Sequence, residues 1–227
     1  MKLLSIDTNA KTKKGQASGY LTGILYLAPA DMAMRGKNLC PHASEGCKAA
    51  CLFSAGRGSF SNVQQARINK TLYFLKDREA FIDQLKKDIE ALAKKAKRSS
   101  MLPCVRLNGT SDIPWHKFGI MDGFSDIPFY DYTPNEQRMG EYLDGKLPKN
   151  YSLTFSRKEN NQDACKRVLS RGGNVAAVFR DVPEKWEGKA CFDGDASDLR
   201  FLDPRGVIVA LKAKGKAKQD LSGFVIH

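Results

Sequence analysis

Three of the six cysteines of the chain lie within one short loop, residues 40–51, which reads CPHASEGCKAAC. Three thiolates on such a loop suit a metal ion or an iron–sulfur cluster better than a disulfide, because one bridge uses two sulfurs and leaves the third without a partner. We therefore interpret Cys40, Cys47 and Cys51 as metal ligands.

The spacing of these cysteines, C-x6-C-x3-C, favours a 4Fe-4S cluster. Zinc sites usually have ligands in pairs two to four residues apart, and no second pair follows along the chain. His42 is only two residues from Cys40, which would strain coordination of one ion by both. A cluster offers ligand positions on several irons and tolerates the longer spacer. Zinc and unliganded thiols are the alternatives.

The fourth cluster ligand is predicted to be Cys191, because it follows a predicted strand on the side of the fold where ligands bind. Cys104 lies near the start of its strand, about 13 Å from the carboxyl end, and Cys165 lies within a helix, so both are expected to be buried structural residues. If Cys191 is a ligand, a saturated cluster suits electron transfer, structure or redox sensing. If it is not, one iron is open to a substrate or to S-adenosylmethionine.

Length and composition indicate one soluble domain, residues 1–227, that begins with a polar segment, residues 1–18. The chain is 42% hydrophobic and 27% charged, which is ordinary for a globular protein. It has no apolar signal region and no run of about 18 apolar residues, so we expect no membrane span. We expect a reducing cytoplasm, where cysteines are thiols or ligands.

The formal charge of +12 favours polyanionic partners, so nucleic acid is a candidate partner. The positive charge is concentrated at residues 86–98 and 212–218, whereas residues 193–203 are acidic. The alternative is that the basic segments are a solvated helix face and a loop, since no aromatic residues alternate with these lysines.

Hydrophobic patterns predict strands at residues 19–27, 102–107, 129–132, 151–155, 174–179 and 207–211, with helices from residue 62 onward and at 162–170. Asp77 is a plausible N-cap for a second helix that follows the first. Alternating strands and helices are typical of a parallel sheet. A closed barrel usually needs about 250 residues, so we predict a partial or shortened (β/α) TIM-like barrel, with an open doubly wound sheet as the alternative.

Polar residues at the predicted carboxyl ends of strands are candidates for holding a substrate or cofactor, because ligands bind there in parallel α/β folds. They are Asn108, Asp112, Asp131 and Arg180, which could equally form salt bridges at the rim of the sheet. Arg57 follows the cysteine loop closely and could offset the negative charge of a thiolate-bound cluster.

The cysteine loop through Leu52, together with GRG at 56–58, QAR at 65–67, DLRFLDP at 198–204 and LKAKG at 211–215, resembles the gene product 88 family of bacteriophage proteins. The likeness spans residues 19–225 and is most specific in the loop. It implies expression in the cytoplasm of a bacterial host, and it leaves the electron donor or substrate unidentified.

The chain is also similar, more weakly, to radical S-adenosylmethionine enzymes. Their cluster loop likewise follows the first strand of a partial barrel and contributes three cysteines. Here the spacing differs from their usual C-x3-C-x2-C, and no Gly-Gly-Glu-like stretch follows the second predicted strand. This resemblance implies an enzyme with S-adenosylmethionine as a second cofactor.

Overall fold

The computed structural model describes residues 1–6 and 15–227, and ten strands in this part form one mixed sheet. The strands are β1 Leu4–Ile6, β2 Tyr20–Leu25, β3 Leu102–Arg106, β4 Phe129–Thr133, β5 Tyr151–Ser156, β6 Val175–Phe179, β7 Lys185–Trp186, β8 Lys189–Asp193, β9 Ile208–Lys212 and β10 Val225–Ile226.

The helices between these strands are α1 Glu45–Ala49, α2 Ser61–Lys76, α3 Arg78–Arg98, α4 Glu136–Leu143 and α5 Gln162–Ser170. Asp77 caps α3 by accepting a hydrogen bond from the N–H of Ala80 at 3.0 Å, as predicted. The buried stripe of α3 recurs every three or four residues and packs on the sheet. No helix in the described residues has the length and apolar character that a bilayer span requires.

Strands β2 to β6 are parallel and lie side by side in chain order. Each new strand is added on the same side of the strand before it. Right-handed crossovers therefore place all the connecting helices on one face of the sheet. The main hydrophobic core lies between this face and the helices, with Leu85 and Ile89 of α3, Met139 of α4 and Val168 of α5 among its members.

The connection from β8 to β9 covers the opposite face of the sheet. Strand β9 lies between β6 and β8, so the chain returns from β8 toward β6, opposite to the direction in which β2 to β6 were added. A right-handed crossover in this direction lies on the other face of the sheet. Asp198 of this connection pairs with Arg106 of β3 at 3.0 Å, and both side chains are buried. Tyr130 of β4 donates a hydrogen bond to the same carboxylate at 3.4 Å.

The sheet does not close into a barrel, because its strand order has two ends, at β1 and at β7. The α/β class and the single domain agree with the sequence prediction, and the open strand order does not confirm the TIM-like barrel. The short strands β7 and β8 extend the sheet beyond β9, in a part of the chain where the sequence analysis predicted no strand. Residues 194–207 fill the face that would be the inside of a barrel.

The final strand, β10, lies beside the carboxyl half of β6. Strand β5 pairs with β6 only at its last two positions, and β10 continues that pairing at Val178 and Phe179. Arg157, just after β5, donates hydrogen bonds to the carbonyls of Gly223 and Phe224. The segment that precedes β10 is thereby attached to the carboxyl end of β5.

The polar segment predicted at residues 1–18 contains a strand. Leu4 of β1 pairs with Leu25 of β2 in antiparallel register, and Leu3 and Leu4 are buried in the core. Asp88 of α3 accepts hydrogen bonds from both of their N–H groups, at 2.6 and 3.1 Å. Residues 7–14 of the predicted segment lie outside the described residues.

Candidate metal centre

The cysteine loop crosses the carboxyl ends of the parallel strands, between β2 and α2. Its first cysteine is fixed next to the loop after β3, where the thiol of Cys40 lies 3.7 Å from the carbonyl oxygen of Thr110. The N–H of Asp112 donates to the carbonyl of Leu39 at 2.8 Å. The backbone next to Cys40 is therefore held by the end of β3.

The second cysteine lies on α1, which Glu159 anchors from the loop after β5. Ser44 caps α1 by accepting a hydrogen bond from the N–H of Cys47 at 3.2 Å. The Ser44 hydroxyl in turn donates to Glu159 at 2.6 Å, and the N–H of Gly46 donates to the other oxygen of that carboxylate at 3.0 Å. Lys158 donates to the carbonyl of His42 at 2.9 Å, a second attachment of the loop.

Gly46 is needed because α1 packs directly on residues 222–224. A Cβ at this position would lie 2.8 Å from the Cβ of Phe224 and 2.9 Å from a Glu159 oxygen. Just beyond α1, Ala50 packs in a small apolar cluster with Val225 and with the segment that follows β9. The loop therefore rests on β10 and on the carboxyl end of β9.

The three loop thiols lie close enough to influence one another electrostatically. Burial raises the pKa of Cys47 to about 12, and the charges of Cys51 and Cys40 add to that rise. Burial likewise raises the pKa of Cys40 to about 11, again with a contribution from Cys51. Without a metal all three are neutral thiols at pH 7. Within residues 1–6 and 15–227, no three His, Cys, Asp or Glu side chains are grouped as ligands of one ion.

A buried arginine lies beside the third cysteine. Arg67 of α2 is only 9% exposed, and its guanidinium stacks over the rings of Tyr26 at 4.8 Å and Phe53 at 5.5 Å. Burial raises the pKa of Cys51, and the charge of Arg67 is among the effects that lower it. In the described part of the chain, the buried Nη1 of Arg67 has no hydrogen-bond partner and no carboxylate pairs with the side chain.

The structure does not place Cys191 at this loop, where the sequence analysis expected it to complete the ligand set. It lies on β8 opposite Ile208, the first residue of β9, and packs against the helix-covered core. The cysteine loop contacts the other end of β9, and the four steps from Ile208 to Lys212 span about 13 Å. Burial alone raises the pKa of Cys191, with no contribution from another thiol.

The two cysteines that were predicted to be structural are buried, as expected. Cys104 faces the connection between β8 and β9, 3.3 Å from the Thr22 hydroxyl, and Cys165 packs within the main core. Two predicted cationic site residues are exposed. Arg57 lies on the 3-10 turn Gly56–Ser59, and Arg180 lies 3.3 Å from His227 near the end of β10. The charge next to Cys51 is that of Arg67 instead.

Asn108 and Asp131 hold the loop after β3 in place. The carboxylate of Asp131 accepts hydrogen bonds from the N–H and the amide of Asn108 and from Tyr151, at 2.7 to 3.2 Å. The Asn108 oxygen accepts three more, including one from Trp115. These groups bond within the protein, so their geometry indicates a supporting role and not contact with a substrate.

Asp112 borders a cavity of about 200 Å³ that lies beside the cysteine loop, with His42, His116 and Arg138 in its walls. One oxygen of Asp112 accepts hydrogen bonds from Arg138 at 2.6 Å and Thr133 at 2.9 Å. The other oxygen and Nδ1 of His116 are buried and have no partner among the residues that the structure describes. Burial and the charge of Arg138 lower the pKa of His116, so it is neutral at pH 7. Two acceptors without partners in the described residues therefore lie buried beside the cavity.

Arg67 and Glu159 were missed as site residues by the sequence analysis. A signal for Arg67 was present, because it shares a helical stripe with the buried Thr71 and Phe74. An arginine on a buried stripe implies an anionic or aromatic partner. Glu159 gave no such signal, since its partners Ser44 and Gly46 are more than 110 residues away in sequence.

The two basic segments lie in different places. Residues 86–98 belong to α3, with most of their lysines exposed on its outer side. Residues 212–218 follow β9 and include the 3-10 turn Gly215–Gln219, whose first residue approaches Ala55 of the cysteine-loop region.

The family model described as Gene product 88 matches residues 2–227 of this chain. The match includes the cysteine loop and every strand of the sheet, and it confirms the resemblance that the sequence motifs indicated. Searches of curated proteins and of solved structures gave no match.

We expect Glu159→Gln to lower the free energy of unfolding at pH 7 by about 1–2 kcal/mol, because two donors lose a charged acceptor. Burial alone would raise the pKa of Glu159, but its hydrogen bonds lower it below the ordinary value. Because the pKa of Glu159 is lower in the folded state than the unfolded value of about 4.3, its ionised carboxylate stabilises the fold above that pH. This stabilisation is lost as the pH falls through the folded-state pKa. Urea unfolding at pH 7 and at pH 3 measures the difference.

The control is Glu45→Gln, in the same loop but 88% exposed at its side chain, which should change stability by only a few tenths of a kcal/mol. An equal loss for Glu159→Gln at both pH values would contradict the electrostatic explanation.

Proposed function

We propose that this chain, which belongs to the gene product 88 family, binds a 4Fe-4S cluster through Cys40, Cys47 and Cys51 and uses it in an electron-transfer or other redox role. The observation that carries this proposal is the buried guanidinium of Arg67 beside Cys51, for which the described residues supply no anion.

A buried charge without an opposite charge costs several kcal/mol, so the absence of a carboxylate partner among the described residues needs an explanation. Stacking on Tyr26 and Phe53 offsets part of this cost. A cluster bound by thiolates carries net negative charge and would supply the missing anion. Arg67 would then stabilise the cluster, and more so its reduced form.

The protonation of the thiols is consistent with a ligand role. Their raised pKa values make them poor nucleophiles at pH 7, which argues against unliganded catalytic cysteines. Cluster binding would replace the three thiol protons. The six-residue spacer between Cys40 and Cys47 favours ligands on separate irons over a single zinc ion.

The winding of the sheet supports a partial (β/α) barrel as the architecture. Strands β2 to β6 follow in chain order with helices on one face, which is how an incomplete barrel is built. A doubly wound sheet would instead reverse its order near the first strands. The cysteine loop then lies at the carboxyl end of the first parallel strand, where such folds bind cofactors.

The position of Cys191 leaves one iron of the proposed cluster without a cysteine ligand. The three thiolates would bind three irons, and the fourth iron would be open to a ligand from the space beside the loop. The Asp112 cavity adjoins Cys40, and the charge of Asp112 reaches that thiol. A small molecule in this cavity would therefore be a neighbour of the cluster.

This cavity favours a second candidate function, a divergent enzyme of the radical S-adenosylmethionine type. Two buried acceptors without partners in the described residues, on Asp112 and His116, lie beside the cavity and would receive the ammonium group of S-adenosylmethionine if these side chains turned toward it. That molecule would supply a substrate-oxidising radical once reduced at the cluster. The residues of this chain would hold its amino end and exclude water.

Anaerobic purification should give a brown protein with about four irons and four sulfides per chain. Cys40→Ser, Cys47→Ser and Cys51→Ser should each lose most of the iron, because each removes one of three ligands. The matched control is Cys191→Ser, which should keep the full cluster. Iron and sulfide assays with EPR provide the measurement, and stoichiometric zinc without sulfide would refute the cluster.

Arg67→Gln should lower the reduction potential of the cluster, because a nearby positive charge favours the more negative reduced state. An interaction of about 1–2 kcal/mol corresponds to a shift on the order of 50 mV for one electron. Arg67→Lys should recover part of the shift. A redox titration followed by EPR measures the shift in reduction potential. The control is Arg57→Gln, at an exposed position. Equal shifts for Arg57→Gln and Arg67→Gln would contradict the role of Arg67.

If the second candidate function holds, S-adenosylmethionine should change the EPR spectrum of the reduced cluster. Asp112→Asn should raise the S-adenosylmethionine concentration that gives half of this spectral change roughly tenfold. The reason is that the carboxylate that pairs with the ammonium group is lost. Asp126→Asn, at an exposed site, should leave it unchanged. An unaltered spectrum at millimolar ligand, in protein with a full cluster, would exclude this candidate and leave the redox role in place.

A further inference from the structure

The surface around the cysteine loop carries a large share of the exposed apolar side chains. Ten large apolar side chains are exposed in residues 1–6 and 15–227, and five of them lie in residues 31–60 and 215–221. These five are Met32, Met34, Leu52, Phe60 and Leu221. We call these two segments the cysteine-loop surface. Exposed apolar side chains that are concentrated in one region mark a place where another molecule binds.

The two segments meet beside the last cysteine of the loop. The 3-10 turn Leu52–Ser54 packs against the turn Gly215–Gln219, and Ala217 of the second turn packs in the apolar cluster that contains Ala50. Leu221 follows this turn by two residues and is 93% exposed. The exposed side chains of residues 215–221 therefore adjoin those of residues 52–60.

Basic side chains are exposed among these apolar groups. The cysteine-loop surface exposes six cations but only two carboxylates, Asp31 and Glu45, and Glu45 is paired with Lys48 at 2.7 Å. The carboxylate of Asp220 is buried and accepts a hydrogen bond from the N–H of Val225. The six cations are Arg35, Lys37, Lys48, Arg57, Lys216 and Lys218. The surface therefore has a net positive charge, which attracts an acidic partner.

We propose that the cysteine-loop surface docks a small acidic electron-transfer protein, which donates one electron to the cluster. This role rests on the proposed function, because a donor needs an acceptor close to the contact. Cys47 and Cys51 belong to the surface itself, so a partner bound there lies next to the cluster. An apolar area among positive charges suits a weak, reversible contact in which charge guides the encounter.

Other occupants fit this surface less well. A second copy of this chain would bring two basic surfaces together, and like charges repel. Single-stranded nucleic acid is bound on several aromatic side chains, on which successive bases stack. Phe60 is the one exposed phenylalanine, tyrosine or tryptophan in residues 31–60 and 215–221. An acidic protein is therefore the occupant that the combination of apolar and basic side chains favours.

Reduced flavodoxin, a small acidic flavoprotein, is the probe for this surface. Its anionic flavin hydroquinone would lose one electron and become the neutral semiquinone, and the oxidised cluster would gain that electron. Stopped-flow absorbance measures the second-order rate with the anaerobically purified full chain. The double variant Lys216→Gln/Lys218→Gln should lower this rate roughly fivefold at about 50 mM salt, because two guiding charges are lost. The difference should disappear at about 1 M salt, where the Debye length is only about 3 Å.

The matched control is Lys94→Gln/Lys97→Gln, which removes the same charge from exposed positions of α3 and should leave the rate unchanged. Leu221→Ser should also lower the rate, whereas Leu102→Ser, at an exposed position where β3 begins, should not. Dithionite should reduce the cluster completely in every variant, which verifies that the cluster is intact. Equal rates for the two double variants would overturn the proposal.

Calorimetry with oxidised flavodoxin distinguishes the docking surface from the cluster. A chain with a full cluster that does not bind flavodoxin would overturn the docking surface and leave the cluster in place. A chain without iron or sulfide would refute the cluster. Flavodoxin binding by that chain, weakened by Lys216→Gln/Lys218→Gln and not by Lys94→Gln/Lys97→Gln, would still support a surface for acidic proteins.

The same titration with a single-stranded oligothymidylate tests nucleic acid as the occupant. We expect it to bind more weakly than flavodoxin and to be affected equally by the two double variants, as for attraction to the overall positive charge. Tighter binding than flavodoxin, weakened only by Lys216→Gln/Lys218→Gln, would overturn the proposal and identify the surface as a nucleic-acid site.

Discussion

A strand that follows its neighbour in a parallel sheet is joined to it by a right-handed crossover, and this constraint determines which face each connection covers. From β2 to β6 the chain moves steadily across the sheet, so its helices collect on one face and form the main core. From β8 to β9 it moves back, so residues 194–207 cover the other face. Arg106 and Asp198 join that covering segment to the sheet.

The candidate metal centre depends on contacts from distant parts of the chain. The loop that carries the cysteines contains the short helix α1, and the ends of β3, β5, β9 and β10 fix its position. Arg67 comes from α2, which begins just after the loop. The buried side of this helix places Arg67 beside Cys51. Local sequence thus supplies the thiols, and the sheet supplies their arrangement and the opposite charge.

The strong hydrophobic periods made most of the fold predictable. The six predicted strands and the helices at α2, α3 and α5 agree with the structure to within a few residues, and Asp77 caps α3. Strands of two to five residues without such a period, including β8, were missed. That omission also misplaced Cys191, because a cysteine after β6 was assumed to lie in a loop at the carboxyl ends. Long-range partners such as Glu159 have no local sequence pattern at all.

The insertion of β10 beside β6 has a consequence for the order of events in the cell. The floor under α1 includes Phe224 and Val225, so the cysteine loop cannot take its final position while those residues are still inside the ribosome. The loop therefore completes its packing only after residues 220–226 have left the ribosome and β10 has joined the sheet.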